Sequence, residues 1–412
     1  MNKRNLITTL AIFLLLTILT ACSDGNEISA PTQPAEIQNS NISIGEWISF
    51  AIKSDNTLWA WGSNSGSQFG NGTSGGMSKV PIHVLDDIVY ISTSEFYTMA
   101  IRSDRSLWAW GWNLRDMMFG VENDNEWQST PVKVTGDVIS VSTSGGHTMI
   151  IRGDNSLWGW GENESGQLGI GTFEGSPIPV RIMDDVIAVS TGAGHTMVIR
   201  SDNSLWGFGN NGHGQLGDET LPRDFMSGIS EPIGIMTDVI AVSAGGSHTM
   251  AIRTDHTLWA WGDNSFGQLG DGTTRMSLDE DSGELIEIDN NRYSPIQIMD
   301  DVIAVSASSL HTMAIRSDNS LWGWGLNWQG QLGDGSIINW DDPDMDDLFG
   351  RTNPTRVKEN VIEVATSAGH TLAITADGNL YAWGNNSIGQ LGDGTEETRT
   401  LPVHIMDLSM GN

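Results

Sequence analysis

The amino-acid sequence predicts an all-β fold, a seven-bladed β-propeller of about 50-residue repeats preceded by a signal peptide and a flexible tether. Three observations predict it: one unit recurs seven times, each unit holds four segments typical of short strands, and glycine and tryptophan are abundant. A ring of four-stranded sheets buries both faces of every sheet, so the repeats can form one large domain. An open β-solenoid is the alternative, and it would show shorter repeats and atypical terminal units.

The clearest part of the unit is Leu-aromatic-small-aromatic-Gly, and an Asp stands three residues before each leucine. The seven leucines are Leu58, Leu107, Leu157, Leu205, Leu258, Leu321 and Leu380. Asp and Asn tolerate left-handed dihedrals, so the stretch before each leucine predicts a tight hairpin turn.

The aromatic residues of this element predict how neighbouring sheets pack. In the fifth repeat, Trp259 and Trp261 fall on one face of the strand, while Leu258 and Ala260 fall on the other. A sheet with a bulky face and a thin face can stack on a copy of itself. We therefore expect both tryptophans to be buried between blades.

Each unit ends with a GQLG-like turn and a Pro-x-x-Ile/Val segment. Proline lacks an N–H donor and is confined to sheet edges or strand starts, so it is expected to begin the outermost strand. The prolines are Pro81, Pro131, Pro179, Pro232, Pro295, Pro354 and Pro402. The first unit begins weakly, at 44–54, and the sequence leaves open whether a C-terminal strand completes the first blade.

The segments GxHTMAI, SDNxLWAWG, GQLGDGT and PxxI resemble the repeat of the regulator of chromosome condensation family, over about residues 42–408. The resemblance implies a seven-bladed propeller. Nuclear members of that family act as guanine-nucleotide exchange factors on a small GTPase, and a secreted bacterial inhibitor of β-lactamases is similar in fold. Exchange activity and inhibition of a secreted enzyme are therefore alternative functions.

The N-terminus predicts secretion and lipid attachment. Residues 1–21 hold two basic residues and then an apolar run of 14, which is typical of a signal peptide and too short to span a bilayer comfortably. The run leads into Leu-Thr-Ala-Cys, which resembles the bacterial lipobox and makes Cys22 the predicted lipidated residue. Residues 22–41 read as a disordered tether and 409–412 as a tail. The expected location is the extracytoplasmic face of the cell membrane; an ordinary signal peptide is the alternative.

Composition excludes several classes of function. There are 51 acidic and 20 basic residues, a formal charge of −31, which argues against a nucleic-acid partner. A single cysteine excludes an internal disulfide framework and a thiolate zinc cluster. With no catalytic constellation visible, we expect a monomeric, non-enzymatic protein, without cofactor or metal, that binds a protein or cell-surface ligand.

Two recurring polar positions could suggest metal binding, but a structural role explains both of them better. Five repeats share a histidine, but equivalent positions in stacked sheets lie about 10 Å apart, too far to share a zinc ion. These are His147, His195, His248, His311 and His370, replaced by Ile48 and Tyr97 in the first two repeats. Asp271, Asp334 and Asp393, which follow GQLG, supply too few oxygens for calcium and are expected to cap turns.

Repeats five and six carry the longest connections between the GQLG glycine and the proline, 25 and 21 residues against 10 in the seventh. Equivalent connections leave the same face, so these two should lie side by side and form an acidic rim that binds the partner. Its candidate residues are Asp279, Glu280, Asp281, Glu284, Trp340, Asp341, Asp342, Asp344, Asp346, Asp347 and Phe349. Calcium held between the loops is a subsidiary possibility, and two solvated insertions are the alternative.

Overall fold

The computed structural model describes residues 40–113, 117–120, 126–222, 228–278, 285–338 and 350–409. These residues form seven four-stranded antiparallel sheets, arranged as the blades of a closed ring. The predicted seven-bladed propeller is confirmed.

The strands follow one another along the chain, four to a blade. Blade one contains β1 (Ile42–Ile44), β2 (Ile48–Ile52), β3 (Leu58–Ser63) and β4 (Met77–Leu85). Blade two contains β5 (Ile88–Thr93), β6 (Tyr97–Arg102), β7 (Leu107–Trp112) and β8 (Trp127–Thr135). Blade three contains β9 (Val138–Ser144), β10 (His147–Arg152), β11 (Leu157–Gly161) and β12 (Ser176–Met183). Blade four contains β13 (Val186–Thr191), β14 (His195–Arg200), β15 (Leu205–Gly209) and β16 (Ile229–Met236).

The remaining three blades repeat this order with one addition. Blade five contains β17 (Val239–Ala244), β18 (His248–Arg253), β19 (Leu258–Gly262) and β22 (Arg292–Met299), and its long connection holds a ribbon of β20 (Met276–Leu278) and β21 (Leu285–Glu287). Blade six contains β23 (Val302–Ala307), β24 (His311–Arg316), β25 (Leu321–Gly325) and β26 (Arg351–Lys358). Blade seven contains β27 (Val361–Thr366), β28 (His370–Thr375), β29 (Asn379–Gly384) and β30 (Arg399–Asp407).

The four strands of a blade run outward from the ring axis. The first strand of each blade contacts its counterparts and lines the axis, and the fourth is the exposed edge. Connections from first to second strand and from third to fourth share one face of the ring, here named the upper face. Turns from second to third strand, and from each blade to the next, lie on the lower face.

The core is divided among the seven blade interfaces. Trp261 is fully buried among residues of blade four, such as Leu205 and Leu216, while Leu258 and Ala260 of the same strand meet Trp324 of blade six. The bulky face of each sheet therefore packs on the thin face of its neighbour, as expected. The buried aromatics at this position are Trp61, Trp110, Trp160, Phe208, Trp261, Trp324 and Trp383.

The expectation that Trp259 is buried between blades is wrong. Its indole N–H donates to Thr257 Oγ1 at 2.8 Å, and the Thr257 hydroxyl donates to Asp255 at 2.6 Å. The guanidinium of Arg253 lies over the ring at 5.8 Å. The tryptophan nearer the hairpin turn is thus held by the turn itself and stays only partly buried, packed against the margin of the core.

The prolines lie within the outermost strands and do not begin them. Pro81 is the fifth residue of β4, at a point where the pairing with β3 slips between Ala60 and Gly62. This irregularity accommodates a residue that cannot donate to a ladder, and the other side of the strand is a free edge. The expectation of an outermost strand is confirmed, and its placement at the strand start is wrong.

The ring closes without a strand from the C-terminus, because β1 supplies the innermost strand of blade one. Ile42 and Ile44 share a core cluster with Leu372 and Leu380 of blade seven. Gly392 approaches Trp61 so closely that a Cβ atom on it would lie 2.8 Å from the ring.

Candidate binding face

The five repeated histidines lock neighbouring blades together. Each is fully buried, and its Nε2 lies 2.9–3.3 Å from a hydroxyl of the next blade. That hydroxyl donates to a GQLG glutamine carbonyl, as Thr249 does to Gln215 at 2.8 Å, so the histidine Nε2 must be the donor to it. The partners of the histidines are Thr196, Thr249, Thr312, Thr371 and, across the closure, Ser49. The structural interpretation of these histidines is confirmed.

Burial keeps these imidazoles neutral. It lowers the pKa of His147 and His248 to about 4 and the pKa of His195, His311 and His370 to about 3. Blade two achieves the same link with a group that does not titrate near neutrality, because Tyr97 Oη lies 2.7 Å from Thr148 Oγ1.

The Asp residues after GQLG cap turns, as expected. Asp271 accepts hydrogen bonds from the Thr273 amide at 3.0 Å and the Thr273 hydroxyl at 2.7 Å. Its second oxygen accepts from Arg292 Nε at 2.6 Å. Asp334 with Arg351 and Asp393 with Arg399 repeat the arrangement, and all three Asp side chains are at most 8% exposed.

The predicted acidic rim lies outside the described residues. This holds for Asp279, Glu280, Asp281, Glu284, Trp340, Asp341, Asp342, Asp344, Asp346, Asp347 and Phe349, and for the predicted lipidation site Cys22. The described ends of the two connections are adjacent, because the Gly272 amide donates to the Thr352 carbonyl at 2.9 Å. Asp271 and Asp334, at the start of these two connections, are buried partners of arginines and add nothing to an exposed rim.

On the upper face, the channel mouth is a cavity of about 310 Å³ lined by residues of all seven blades. Most of its walls are small residues, because the loops before the histidines carry Gly, Ala, Ser or Thr. Glu46 and Glu95 are the charged residues of the lining. Partial burial, together with repulsion from Glu95, raises the pKa of Glu46, against a hydrogen bond from Trp47.

A second cavity, of about 340 Å³, opens from this mouth over blades one and two. We call it the aromatic groove. Its lining is Trp47, Ser65, Gly66, Gln68, Glu95, Phe96, Trp112 and Trp127. Glu95 belongs to both cavities and stands at the inner end of the groove, and Glu46 lines the mouth close enough to repel it.

The wall of the groove is a stack of indoles. Trp112 and Trp127 form the last cross-strand pair of β7 and β8, with ring centroids 5.1 Å apart and planes at 5°. Phe96 meets Trp112 edge-on at 5.0 Å, and Glu126 accepts from Trp112 Nε1 at 3.3 Å. Trp127 is nevertheless 48% exposed and Trp47 36% exposed.

Sequence reasoning missed this groove, although the repeat carried a signal for it. Just before the histidine position, blades one and two read Glu46-Trp47 and Glu95-Phe96. The other five repeats have only Gly, Ala or Ser at the glutamate position. Aligning the repeats at this loop would have exposed the departure.

The described part of the chain contains no helix long and apolar enough to cross a membrane. It also holds no group of three or more His, Cys, Asp or Glu side chains placed to hold a metal ion.

A closed seven-bladed ring with one open polar and aromatic face defines a β-propeller of the protein-interaction class. The chain belongs to the RCC1-like domain family, whose model matches residues 85–411. The regulator of chromosome condensation (RCC1) repeat matches residues 40–68 as well.

Proteins that are similar in sequence match only part of this chain. The ultraviolet-B receptor UVR8 of Arabidopsis thaliana is 31% identical over 173 residues, which are 41% of this chain and 34% of that protein. The E3 ubiquitin-protein ligase HERC2 of Homo sapiens is 30% identical over 172 residues, 40% of this chain and 3% of that protein. The matches therefore span about a third of the first relative and a small part of the second.

Relatives in structure share the fold at low identity. A chain in the crystal structure of Kap60 bound to yeast RCC1 (Prp20) matches with a TM-score of 0.70 at 18% identity, covering 93% of this chain and 91% of that one. Human WBSCR16 matches with a TM-score of 0.68 at 20% identity, covering 85% and 94%.

Proposed function

We propose that the protein is a non-catalytic binding module that displays the upper face of its propeller to a protein or surface ligand outside the cytoplasm. One observation carries the proposal: Trp47, Phe96, Trp112 and Trp127 gather in one open groove. Exposed aromatic side chains rimmed by polar groups are typical of recognition surfaces, since they bury much area at little entropic cost. The fold needs no such stack, because the other five blades form without it.

The tether is part of the proposal. Lipid on Cys22 would hold the propeller at the outer surface of the membrane, on a polar segment of about 20 residues. The net charge of −31 would not favour an anionic membrane, so the acyl chains would supply the attachment. Mass spectrometry of the mature protein should find an acyl mass increment on Cys22 at the N-terminus. Recovery of unmodified, soluble protein from native membranes would contradict the proposal.

The function is tested by partner capture with two variants, each of which removes an aromatic side chain that is 48% exposed. Trp127→Ala removes part of the groove wall, whereas Phe173→Ala removes a ring that lies outside the groove. Full-length protein carrying a crosslinker should capture from native membranes a partner that Trp127→Ala loses and Phe173→Ala keeps. Capture of the same set by all three proteins would refute the groove as the binding surface.

The acidic loops of blades five and six remain a second proposed recognition surface. Support comes from the adjacency of their described ends, on the same upper face as the groove. Shortening both loops to the ten-residue connection of blade seven should weaken partner capture while the ring stays folded. Full retention of binding would remove the loops from consideration.

A further inference from the structure

We propose that the aromatic groove takes a cationic side chain, the arginine or lysine of a basic peptide segment, on its exposed indoles beside Glu46 and Glu95. The proposal rests on the function proposed above and specifies the chemistry of the ligand. Three features of the described structure carry it: the indole wall, the carboxylates at its inner end, and the cations that the same chain places over the half-buried indoles of its lower face.

The wall offers an exposed indole to a ligand. Trp127 stacks on Trp112, lines the groove beside Gly66 and is 48% exposed. The face of a tryptophan ring is the strongest aromatic site for a cation, because its quadrupole places negative charge above the ring plane. Glu126, on Trp112 Nε1, adds a further negative charge at the outer end.

The carboxylates at the inner end are not neutralised within the described part of the chain. No salt bridge there involves Glu46 or Glu95, and neither the channel mouth nor the groove has a Lys, Arg or His in its lining. The two carboxylates repel each other. An arriving cation would relieve that repulsion, so charge complementarity favours a basic occupant over a neutral one.

On the lower face, the chain covers its half-buried indoles with its own cations. Each half-buried tryptophan there has a cation over its ring from its own blade, at 4.3–5.9 Å. The pairs are Lys53 with Trp59, Arg102 with Trp108, Arg152 with Trp158, Arg200 with Trp206, Arg253 with Trp259 and Arg316 with Trp322. Among the described residues, Trp47, Trp112 and Trp127 have no such cation, which is the place a ligand would take.

The test uses the full-length protein and two synthetic probes. One is an acetylated, amidated hexapeptide of alternating serine and arginine; the other carries citrulline, an uncharged isostere, in place of each arginine. Binding is measured by tryptophan fluorescence and calorimetry at low and moderate salt. We expect the arginine peptide to bind, the citrulline peptide to bind at least about tenfold more weakly, and added salt to weaken binding.

Matched variants separate the groove from the general acidity of the protein. Trp127→Ala leaves the charge unchanged and should weaken the arginine peptide about tenfold, whereas Phe173→Ala should not. Glu95→Gln should weaken it, whereas Glu174→Gln, which removes the same charge from an exposed loop residue outside the groove, should have a smaller effect. Unchanged melting temperatures verify that the variants are folded.

Two results would overturn the proposal. Equal loss for Glu95→Gln and Glu174→Gln, with none for Trp127→Ala, would mean that the peptide follows the overall charge alone. Binding of a neutral oligosaccharide such as maltohexaose, lost on Trp127→Ala while the arginine peptide does not bind, would refute a cationic ligand and leave the proposed binding function standing.

Discussion

At the scale of the residue, the two aromatics of each Leu-aromatic-small-aromatic-Gly element differ in burial and in hydrogen-bond partner. Trp261 is fully buried, and its indole N–H donates to the main-chain carbonyl of Gln215 in the preceding blade at 2.9 Å. Trp259 is satisfied within its own hairpin by Thr257. Position along the strand decides the difference, since the upper residue faces a neighbouring blade and the lower one faces the margin of the interface.

Truncation should separate the two tryptophans. Trp261→Ala removes a fully buried ring and should reduce the free energy of unfolding by about 3 to 5 kcal/mol. Trp259→Ala should cost less, about 1 to 2 kcal/mol, because the ring is partly solvated and makes one cation–π contact. Urea unfolding followed by circular dichroism measures both. Equal destabilisation by the two substitutions would contradict the prediction that the partly buried Trp259 contributes less than Trp261.

At the scale of the element, the innermost strands are joined by a ring of serines that is incomplete at the closure. Between consecutive blades, from one through seven, a serine hydroxyl accepts from a main-chain amide of the next innermost strand at 2.9–3.2 Å. The serines are Ser43, Ser92, Ser142, Ser190, Ser243 and Ser306. Blade seven has Ala365 at this position and cannot make the bond to blade one.

Glu363 closes the ring in place of that serine. It stands where blades four to six have alanine, and its carboxylate accepts from the Asn41 amide at 2.8 Å, the Asn41 side chain at 2.9 Å and the Ile42 amide at 3.3 Å. The carboxylate thereby holds the start of β1 against blade seven, and we call this contact the clasp. The other neighbouring blades are joined by the chain itself, so only this interface needs a clasp.

Glu363→Ala should loosen the closure specifically. Loss of hydrogen bonds to a charged acceptor should cost about 2 to 3 kcal/mol. Amide hydrogen exchange should increase first in β1 and β2 and remain unchanged in blades three to five. The control is Glu359→Gln, an exposed carboxylate that pairs with Arg356 on the lower face. Uniform exchange across all blades in Glu363→Ala would contradict a local clasp.

At the scale of the whole molecule, five buried neutral histidines make the ring sensitive to acid. Their pKa values are lowered to about 3 or 4 in the folded state, against about 6.5 unfolded. The unfolded chain therefore binds more protons between these values. The stabilisation is fully present above pH 6.5 and is lost as the pH falls toward 4.

We predict cooperative acid unfolding between about pH 4 and 6. Each histidine should cost about 1.4 kcal/mol per unit of pH in this window, so the five together approach a typical domain stability within one or two units. His195→Gln keeps a donor for Thr249 and does not titrate, so the proton uptake on unfolding should fall from about five to about four. The pH dependence of the unfolding free energy measures this. Stability that stays flat from pH 7 to 4 would contradict the neutral histidine ring.

The sequence by itself determined the seven blades, the four strands of each, the hairpin turns, the large-against-small stacking and the structural role of the repeated histidines and of Asp271. These follow from local propensity and from a pattern that every repeat restates, so no knowledge of distant neighbours is needed. The tertiary structure alone decided the features that depend on which blades meet. Glu46 and Glu95 lie 49 residues apart and converge only when blades one and two pack side by side, and Trp127 reaches Trp112 only through the register of an irregular outermost strand. The clasp at Glu363 likewise exists because the first and last blades, unlike all others, are held together without the chain passing between them.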